Sequence, residues 1–316
     1  MDLAIVGAGT MGAGVARVAI TRGLAVTLYD AVPAALERGA QRVYEALGRG
    51  MRRGRLSAAE HDAALACLFT ARNLDDLAAA PFVLEAAPED LAIKREVFAR
   101  LSEVCAPGAV LVSNTSSISI TAIAAGAAHP GRVAGMHFFN PVPAMSLVEV
   151  IAGHLTDEAT VAAVMAMARR LGKTPVRAKD TPGFIVNRVA RPFYGEALRI
   201  LAEGTDAATV DRVMRAAGFK MGPFELMDLI GIDVNFAVTR SVYEAFFGEP
   251  RYRPHPIQAQ MVAAGALGRK TGRGFYSYDD ASHAQGEGHA QGEGHAQGEG
   301  QSKGDGQSKG DGDAQR

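Results

Sequence analysis

The chain has 316 residues with 33 basic and 34 acidic side chains, so there is enough material for two domains and none of the basic excess of a nucleic-acid binder. Its two cysteines, Cys67 and Cys105, lie in no paired metal or redox spacing, and no apolar run reaches the length of a membrane span. The first strand begins at Leu3, which leaves no room for a signal peptide, so the expectation is a soluble cytoplasmic protein with no membrane, nucleic-acid or resident-metal partner.

The chain opens with an apolar strand, Leu3 to Val6, and then Gly7-Ala-Gly9-Thr10-Met11-Gly12. A helical run follows to about Arg22, and a second strand, Ala25 to Tyr29, closes on Asp30. A glycine triplet alone is weak, but strand, helix, second strand and closing acid together make a dinucleotide-binding signature. Gly7 serves the tight turn, Gly9 the approach of backbone to a diphosphate and Gly12 the close packing of helix on strand. The diphosphate then sits at the positive end of the helix, over Thr10 and Met11. Asp30 is placed to accept from ribose hydroxyls and to repel a 2′-phosphate, which favours NAD over NADP.

The next confident strand, Phe82 to Ala86, is about fifty residues on, more chain than one crossover needs. The intervening residues read as two helices, about Pro33 to Leu47 and Ser57 to Ala66, with a short strand near Leu68 to Thr70. Ser57 with Glu60 forms a capping box. Between the helices Arg49, Arg52, Arg53 and Arg55 fall within seven residues. Such a cluster is a solvated turn on the bare pattern, or a phosphate site if the substrate carries phosphate.

Helix Leu91 to Val104, strand Val110 to Ser113, helix Ser119 to Ala125 and strand Arg132 to Phe138 continue the alternation. It implies an α/β domain with a parallel, doubly wound sheet, whose ligands bind beyond the carboxyl ends of the strands. Gly7, Glu85 to Glu89, Asn114 to Ser116 and His137 all fall at those ends. Twelve residues after His137, Glu149 stands inside another apolar run, Leu147 to Val150. An imidazole held by a carboxylate is a proton acceptor near neutral pH, and an unpaired carboxylate would be costly to bury there. His129, His154 and His255 read as structural, and Met165 and Met167 as helix core.

After Thr181-Pro182-Gly183 the periodicity is helical to about Leu267, with helices over Phe184 to Leu201 and Pro223 to Phe247, so the second domain is all-helical. From about Asp279 six-residue repeats (HAQGEG, then QSKGDG) offer no apolar side chains for a core and are expected to be disordered. His283, His289 and His295 in them can at most hold a metal weakly. The division is residues 1–180 with a helical insert at about 33–66, then 181–278, then a tail at 279–316.

In combination, GAGTMGAG, EAAPEDLAIKREVF, SNTSSISIT, GMHFFNPVPAMSLVEVI, DTPGFIVNR, MGPFELMDLIGID and GRKTGRGFYSY resemble the short-chain L-3-hydroxyacyl-CoA dehydrogenases, including bacterial 3-hydroxybutyryl-CoA dehydrogenases. The resemblance covers about Leu3 to Tyr278. It implies an NAD-binding domain, a helical dimerising domain, an acyl-CoA substrate held between them and a homodimer. Residue by residue, it puts the catalytic histidine at His137 with Glu149 as its partner, and the contacts to the reacting oxygen at Ser116 and Asn187. To the NAD contacts it adds Glu89, Lys94, Asn140 and Lys270. The family holds coenzyme A through polar and basic residues of the helical insert, which makes Arg53 and Arg55 the candidates there. Relatives that oxidise carnitine or L-gulonate share the His–Glu pair, and a recruited, non-catalytic role is the reading from another class.

Overall fold

The structure, a computed structural model, describes residues 1–278. The repeats at 279–316, expected to be disordered, lie outside the described residues. Eight strands form one sheet: β1 (Leu3–Val6), β2 (Val26–Tyr29), β3 (Leu68–Thr70), β4 (Phe82–Glu85), β5 (Val110–Ser113), β6 (Val133–Phe138), β7 (Leu147–Ala152) and β8 (Thr174–Lys179). Their order is β3-β2-β1-β4-β5-β6-β7-β8, so the chain switches direction across the sheet between β1 and β4. Short runs such as LAIV and FVLE are buried along their whole length because helices cover both faces. Alternate residues of β1 feed opposite cores: Leu3 and Ile5 join one cluster, Ala4 and Val6 the other.

The parallel pattern expected from sequence holds from β1 to β6 and then stops. β7 runs antiparallel to β6, and β8 parallel to β7. Only residues 139–146 separate β6 from β7, too few for the crossover that a parallel neighbour requires.

The crossover helices are α1 (Thr10–Ile20), α2 (Pro33–Arg52), α3 (Ala58–Leu65), α4 (Leu91–Val104), α5 (Ile120–Ala124) and α6 (Glu158–Arg170). The capping box at α3 is present: Glu60 N donates to Ser57 Oγ at 3.2 Å, and Ser57 N to Glu60 Oε2 at 2.8 Å. α2 is longer than its apolar pattern suggests, ending at Arg52 rather than near Leu47. Arg49 and Arg52 fill its last turn, where cations suit the negative end of the helix. In α6, Met167 packs in the core and Met165 against it.

A helical domain follows, made of α7 (Val186–Ala202), α8 (Ala207–Ala216), α9 (Pro223–Ile230), α10 (Ile232–Ala245) and α11 (Pro256–Ala263) around Leu198, Phe224, Met227 and Ile232. The single helix expected over Pro223 to Phe247 is broken at Gly231. That residue has φ +102°, and the next N–H, of Ile232, donates to Leu267 O at 3.2 Å. Two buried aspartates tie the last described segment down. Asp228 accepts from the N–H groups of Phe275 and Tyr276 and from the Tyr278 hydroxyl, and Asp211 from those of Phe224 and Glu225 and the Tyr276 hydroxyl.

Candidate active site

Antiparallel pairing of β6 with β7 sets His137 directly opposite Glu149, which is why a spacing of twelve residues becomes a contact. His137 Nδ1 lies 2.7 Å from Glu149 Oε2, and both side chains are buried. The second carboxylate oxygen, Oε1, accepts from Ile185 N and Val186 N at 2.8 and 2.9 Å, so it caps the entry to α7. Burial alone would raise the Glu149 carboxyl. The hydrogen bonds from His137, Val186 and Ile185 overcome it and hold the group below its ordinary value. With Nδ1 committed to an anion, Nδ1 carries the proton and Nε2 keeps its lone pair. Rings of Phe139 and Phe184 flank the imidazole at centroid distances of 4.5 and 5.8 Å. Phe184 sits at φ +48°, a costly conformation for a bulky residue and one that the surrounding contacts must enforce.

The loop after β5 is held by a second carboxylate. Glu89 Oε1 accepts from Thr115 Oγ1 at 2.7 Å, from Ser116 N at 2.9 Å and from Ser116 Oγ at 3.2 Å. Here too burial would raise the carboxyl, and Lys94 with the Thr115 and Ser116 donors lowers it below the usual value. Lys94 is itself 1% exposed and bonds Glu85 Oε1 at 2.7 Å, with Glu89 Oε2 at 3.4 Å. Asn187 Nδ2, on the first turn of α7, donates to Ser116 O at 3.3 Å and so links the helical domain to this loop.

His137, Ser116, Asn187, Glu89, Lys94 and Asn140 all line one cleft of about 500 Å³ between the sheet and the helical domain, with Glu149 behind the imidazole. The glycine loop adjoins it, since Met11 lines the same cleft. Gly7 adopts φ +102°, and a Cβ at Gly12 would meet Gly7 O at 1.8 Å, so the turn and the helix contact both exclude side chains. A Cβ at Gly9 would meet nothing within 4 Å, which leaves the N-terminus of α1 open. No side chain caps that end, so the first-turn N–H groups around Thr10 and Met11 point free into the opening, a fit for a diphosphate. Asp30 does more than close β2. Its Oδ2 accepts from Ala8 N at 2.8 Å and so braces the loop, while the residue lines a separate cavity of about 550 Å³ with Pro33, Tyr44 and Arg72.

Two groups of candidates stand apart. Lys270 bonds Asp233 at 2.6 and 2.7 Å and is not among the residues lining the cleft. Arg53 and Arg55 lie in the turn after α2. Arg55 lines a groove with Arg17, Arg22 and Lys173, where Arg17 is lowered by burial and by the neighbouring Arg49 and Arg55 charges. Glu85, which the pattern placed at a ligand-facing strand end, is instead fully buried behind the cleft wall, where it accepts from Lys94, Ser113 Oγ and Ala87 N. Two residues of the cleft were missed by pattern reading. Arg191 and Asn235, buried on α7 and α10, also line the cleft. The spacing of four from Asn187 puts Arg191 on the same helix face, but nothing in the sequence marks it as unpaired.

Residues 2–181 match the family profile described as 3-hydroxyacyl-CoA dehydrogenase, NAD binding domain, and residues 183–278 that of the 3-hydroxyacyl-CoA dehydrogenase, C-terminal domain. Among curated proteins, the chain is 50% identical to 3-hydroxyadipyl-CoA dehydrogenase of Escherichia coli over 278 residues, which is 87% of this chain and 58% of that one. It is 41% identical to the probable 3-hydroxybutyryl-CoA dehydrogenase of Bacillus subtilis, over 88% of this chain and 98% of that one. A solved structure of 3-hydroxybutyryl-CoA dehydrogenase from Escherichia coli superposes with a TM-score of 0.86 at 47% identity, over 92% of this chain and 61% of that one. The chain thus spans about three fifths of the two Escherichia coli proteins and nearly all of the Bacillus one.

Proposed function

The chain belongs to the 3-hydroxyacyl-CoA dehydrogenase family, and we propose that it catalyses the reversible, NAD-dependent oxidation of a short-chain L-3-hydroxyacyl-CoA to the 3-ketoacyl-CoA. The observation that carries this is the buried His137–Glu149 pair, facing the cleft between an NAD-binding domain and a helical domain. His137 Nε2 takes the substrate hydroxyl proton. Glu149 fixes the tautomer that leaves Nε2 unprotonated and stabilises the imidazolium that forms. Ser116 and Asn187 orient the hydroxyl and, in the reverse direction, polarise the ketone. A dinucleotide held at the glycine loop would supply the hydride acceptor for the C3 hydrogen, while the chain's own part is to take the hydroxyl proton on His137 and to hold the oxygen with Ser116 and Asn187.

The dinucleotide contacts are assigned to Gly7, Gly9, Thr10, Met11, Gly12 and Asp30, joined on the resemblance by Glu89, Lys94 and Asn140. The open N-terminus of α1 supports the diphosphate position, and the cavity beside Asp30 suits an adenosine. For Glu89 and Lys94 the geometry favours an indirect role, because their charges are spent on each other, on Glu85 and on the Ser116 loop. Arg53 and Arg55 are assigned to coenzyme A phosphates on their charge alone, and Lys270 on the resemblance alone. We also propose a homodimer through the helical domain, where Val189, Val213, Phe219 and Phe247 are exposed. Among the described residues no helix is long and apolar enough to cross a membrane, and Cys67 and Cys105 are both free, which supports a cytoplasmic setting.

Steady-state NADH oxidation with acetoacetyl-CoA against dehydrocarnitine tests the reading. Turnover confined to the acyl-CoA is expected; turnover of dehydrocarnitine alone, or of neither, overturns it.

A further inference from the structure

The helical wall of the cleft holds a positive charge that the reaction above does not use. Arg191 is 5% exposed, and among the described residues no carboxylate lies within ion-pair distance of it. Its nitrogens reach neutral acceptors only: Nε donates to Asn187 O at 3.2 Å, and Nη1 to Asn235 O at 2.9 Å and to Thr239 Oγ1 at 2.8 Å. Nη2 has no hydrogen-bond partner among the described residues, and the Tyr194 ring lies 5.0 Å from the guanidinium carbon. Beside it, the side-chain nitrogen of Asn235 is wholly buried and also has no partner, while Asn235 Oδ1 is occupied by Gln258 Nε2 at 2.8 Å. Burial brings the Arg191 guanidinium down to about 10, still far above neutral pH, so the group is a cation when the protein works.

A buried cation without a counter-charge is expensive, and an aliphatic side chain could fill the same space at no such cost. Arg191 and Asn235 are both among the residues that line the same cleft as His137. Apolar Ile230, Val234, Val238 and Ala190 line the same cleft. Arg191 follows Asn187 by one turn of α7, an axial advance of about 6 Å. One cleft thus combines the reacting histidine, an aliphatic lining, and a buried cation with an unpartnered amide nitrogen beside it. A carboxylate is what this pair accepts, since a guanidinium and an amide nitrogen present donors only, in planes that match its two oxygens.

Resting on the dehydrogenase reading, we propose that the preferred acyl group carries a terminal carboxylate, bound by Arg191 with the side-chain amide of Asn235, so that the substrate is the coenzyme A thioester of a short 3-hydroxy diacid. The substrate then brings the missing counter-charge, and Arg191 fixes specificity at the far end of the acyl chain while His137 works at C3.

The test compares NADH oxidation by the full chain with 3-ketoadipyl-CoA, its terminal methyl ester and 3-ketohexanoyl-CoA. Wild-type protein should favour the free acid over both neutral substrates by about tenfold to a hundredfold in kcat/KM, the range for a charged hydrogen bond made in a desolvated site. Arg191→Met should bring that ratio to one or below. Asn235→Asp, nearly the same shape, should also collapse it by pairing with the guanidinium and repelling the incoming acid. A wild-type ratio near one overturns the proposal, as does a ratio that survives in an Arg191→Met protein with a cooperative melting transition. If Arg191→Met does not fold, Asn235→Asp decides, and an undiminished ratio there overturns it. Loss of activity with every acyl-CoA, acetoacetyl-CoA included, would instead defeat the underlying dehydrogenase assignment.

Discussion

Replacing Glu149 by Gln keeps the size of the side chain and removes its charge, and its surroundings leave the amide no good orientation. If the amide oxygen turns to Ile185 N and Val186 N, the amide nitrogen faces His137 Nδ1 and donates to it. The imidazole must then carry its proton on Nε2, where the lone pair of the base belongs. If the amide is flipped, its nitrogen meets two backbone N–H donors in a buried place, with no acceptor for any of them. The lost charge adds to this. Two unit charges about 4 Å apart at an effective dielectric of about 20 attract by about 4 kcal/mol, all of it in the state that contains imidazolium. At about 1.4 kcal/mol per decade, kcat should fall about a thousandfold. The assay is steady-state reduction of NAD with L-3-hydroxybutyryl-CoA, the direction in which imidazolium forms, alongside a melting curve to establish that the variant is folded. A folded variant within tenfold of wild-type kcat would refute the role given to Glu149 and reduce the carboxylate to a cap on α7.

Asp30→Ala should both relax discrimination against NADPH and weaken NADH binding, because Asp30 also braces Ala8 N; a wild-type preference for NADPH in paired kinetics would contradict the reading of this acid. Glu89→Gln should lower kcat by about tenfold or more through a loosened Ser116 loop, since bonds to a charged acceptor are worth about 1.5–3 kcal/mol, and an unchanged kcat would exclude the positioning role. Both Glu89 and Glu149 titrate below their usual 4.5 in the folded protein. Their stabilisation is therefore complete above that pH and is lost as pH falls through the lowered values, so either Gln variant should flatten the acid limb of melting temperature against pH. Coincident acid limbs for the two variants and wild type would show that these carboxyls contribute nothing there. Light scattering at micromolar concentration should give twice the 33.1 kDa chain mass, and an active monomer would remove the dimer.

The strands around the glycine loop were legible because each is a short apolar run closed by a turn residue, and His137 stood out by ending one. β8 was not legible. Its sequence, TPVRAK, buries only Ala178, as an edge strand can, and its proline is tolerated only there. The reversal at β7 needed loop-length reasoning rather than periodicity. The break in the helix at Gly231 was hidden because apolar residues continue in phase on both sides, and only the close approach of Leu267 and Lys270 requires it. The positions of the charges in the cleft were the least accessible. Glu85, Lys94 and Glu89 read separately as strand, helix and loop, and the bridging of both carboxylates by Lys94 appears only when β4 and α4 are brought together. Arg191 looks like any solvated helix arginine until α10 covers it.

The central claim is that His137 is the proton acceptor of a dehydrogenase whose dinucleotide is held elsewhere. A His137→Gln protein, measured both for NADH binding by fluorescence and for single-turnover reduction of acetoacetyl-CoA, tests it most directly. The expected result is NADH affinity within a few-fold of wild type with reduction slowed by about a thousandfold or more, since a general base and its charge partner act as one unit. Reduction at the wild-type rate, with NADH bound normally, would contradict the account.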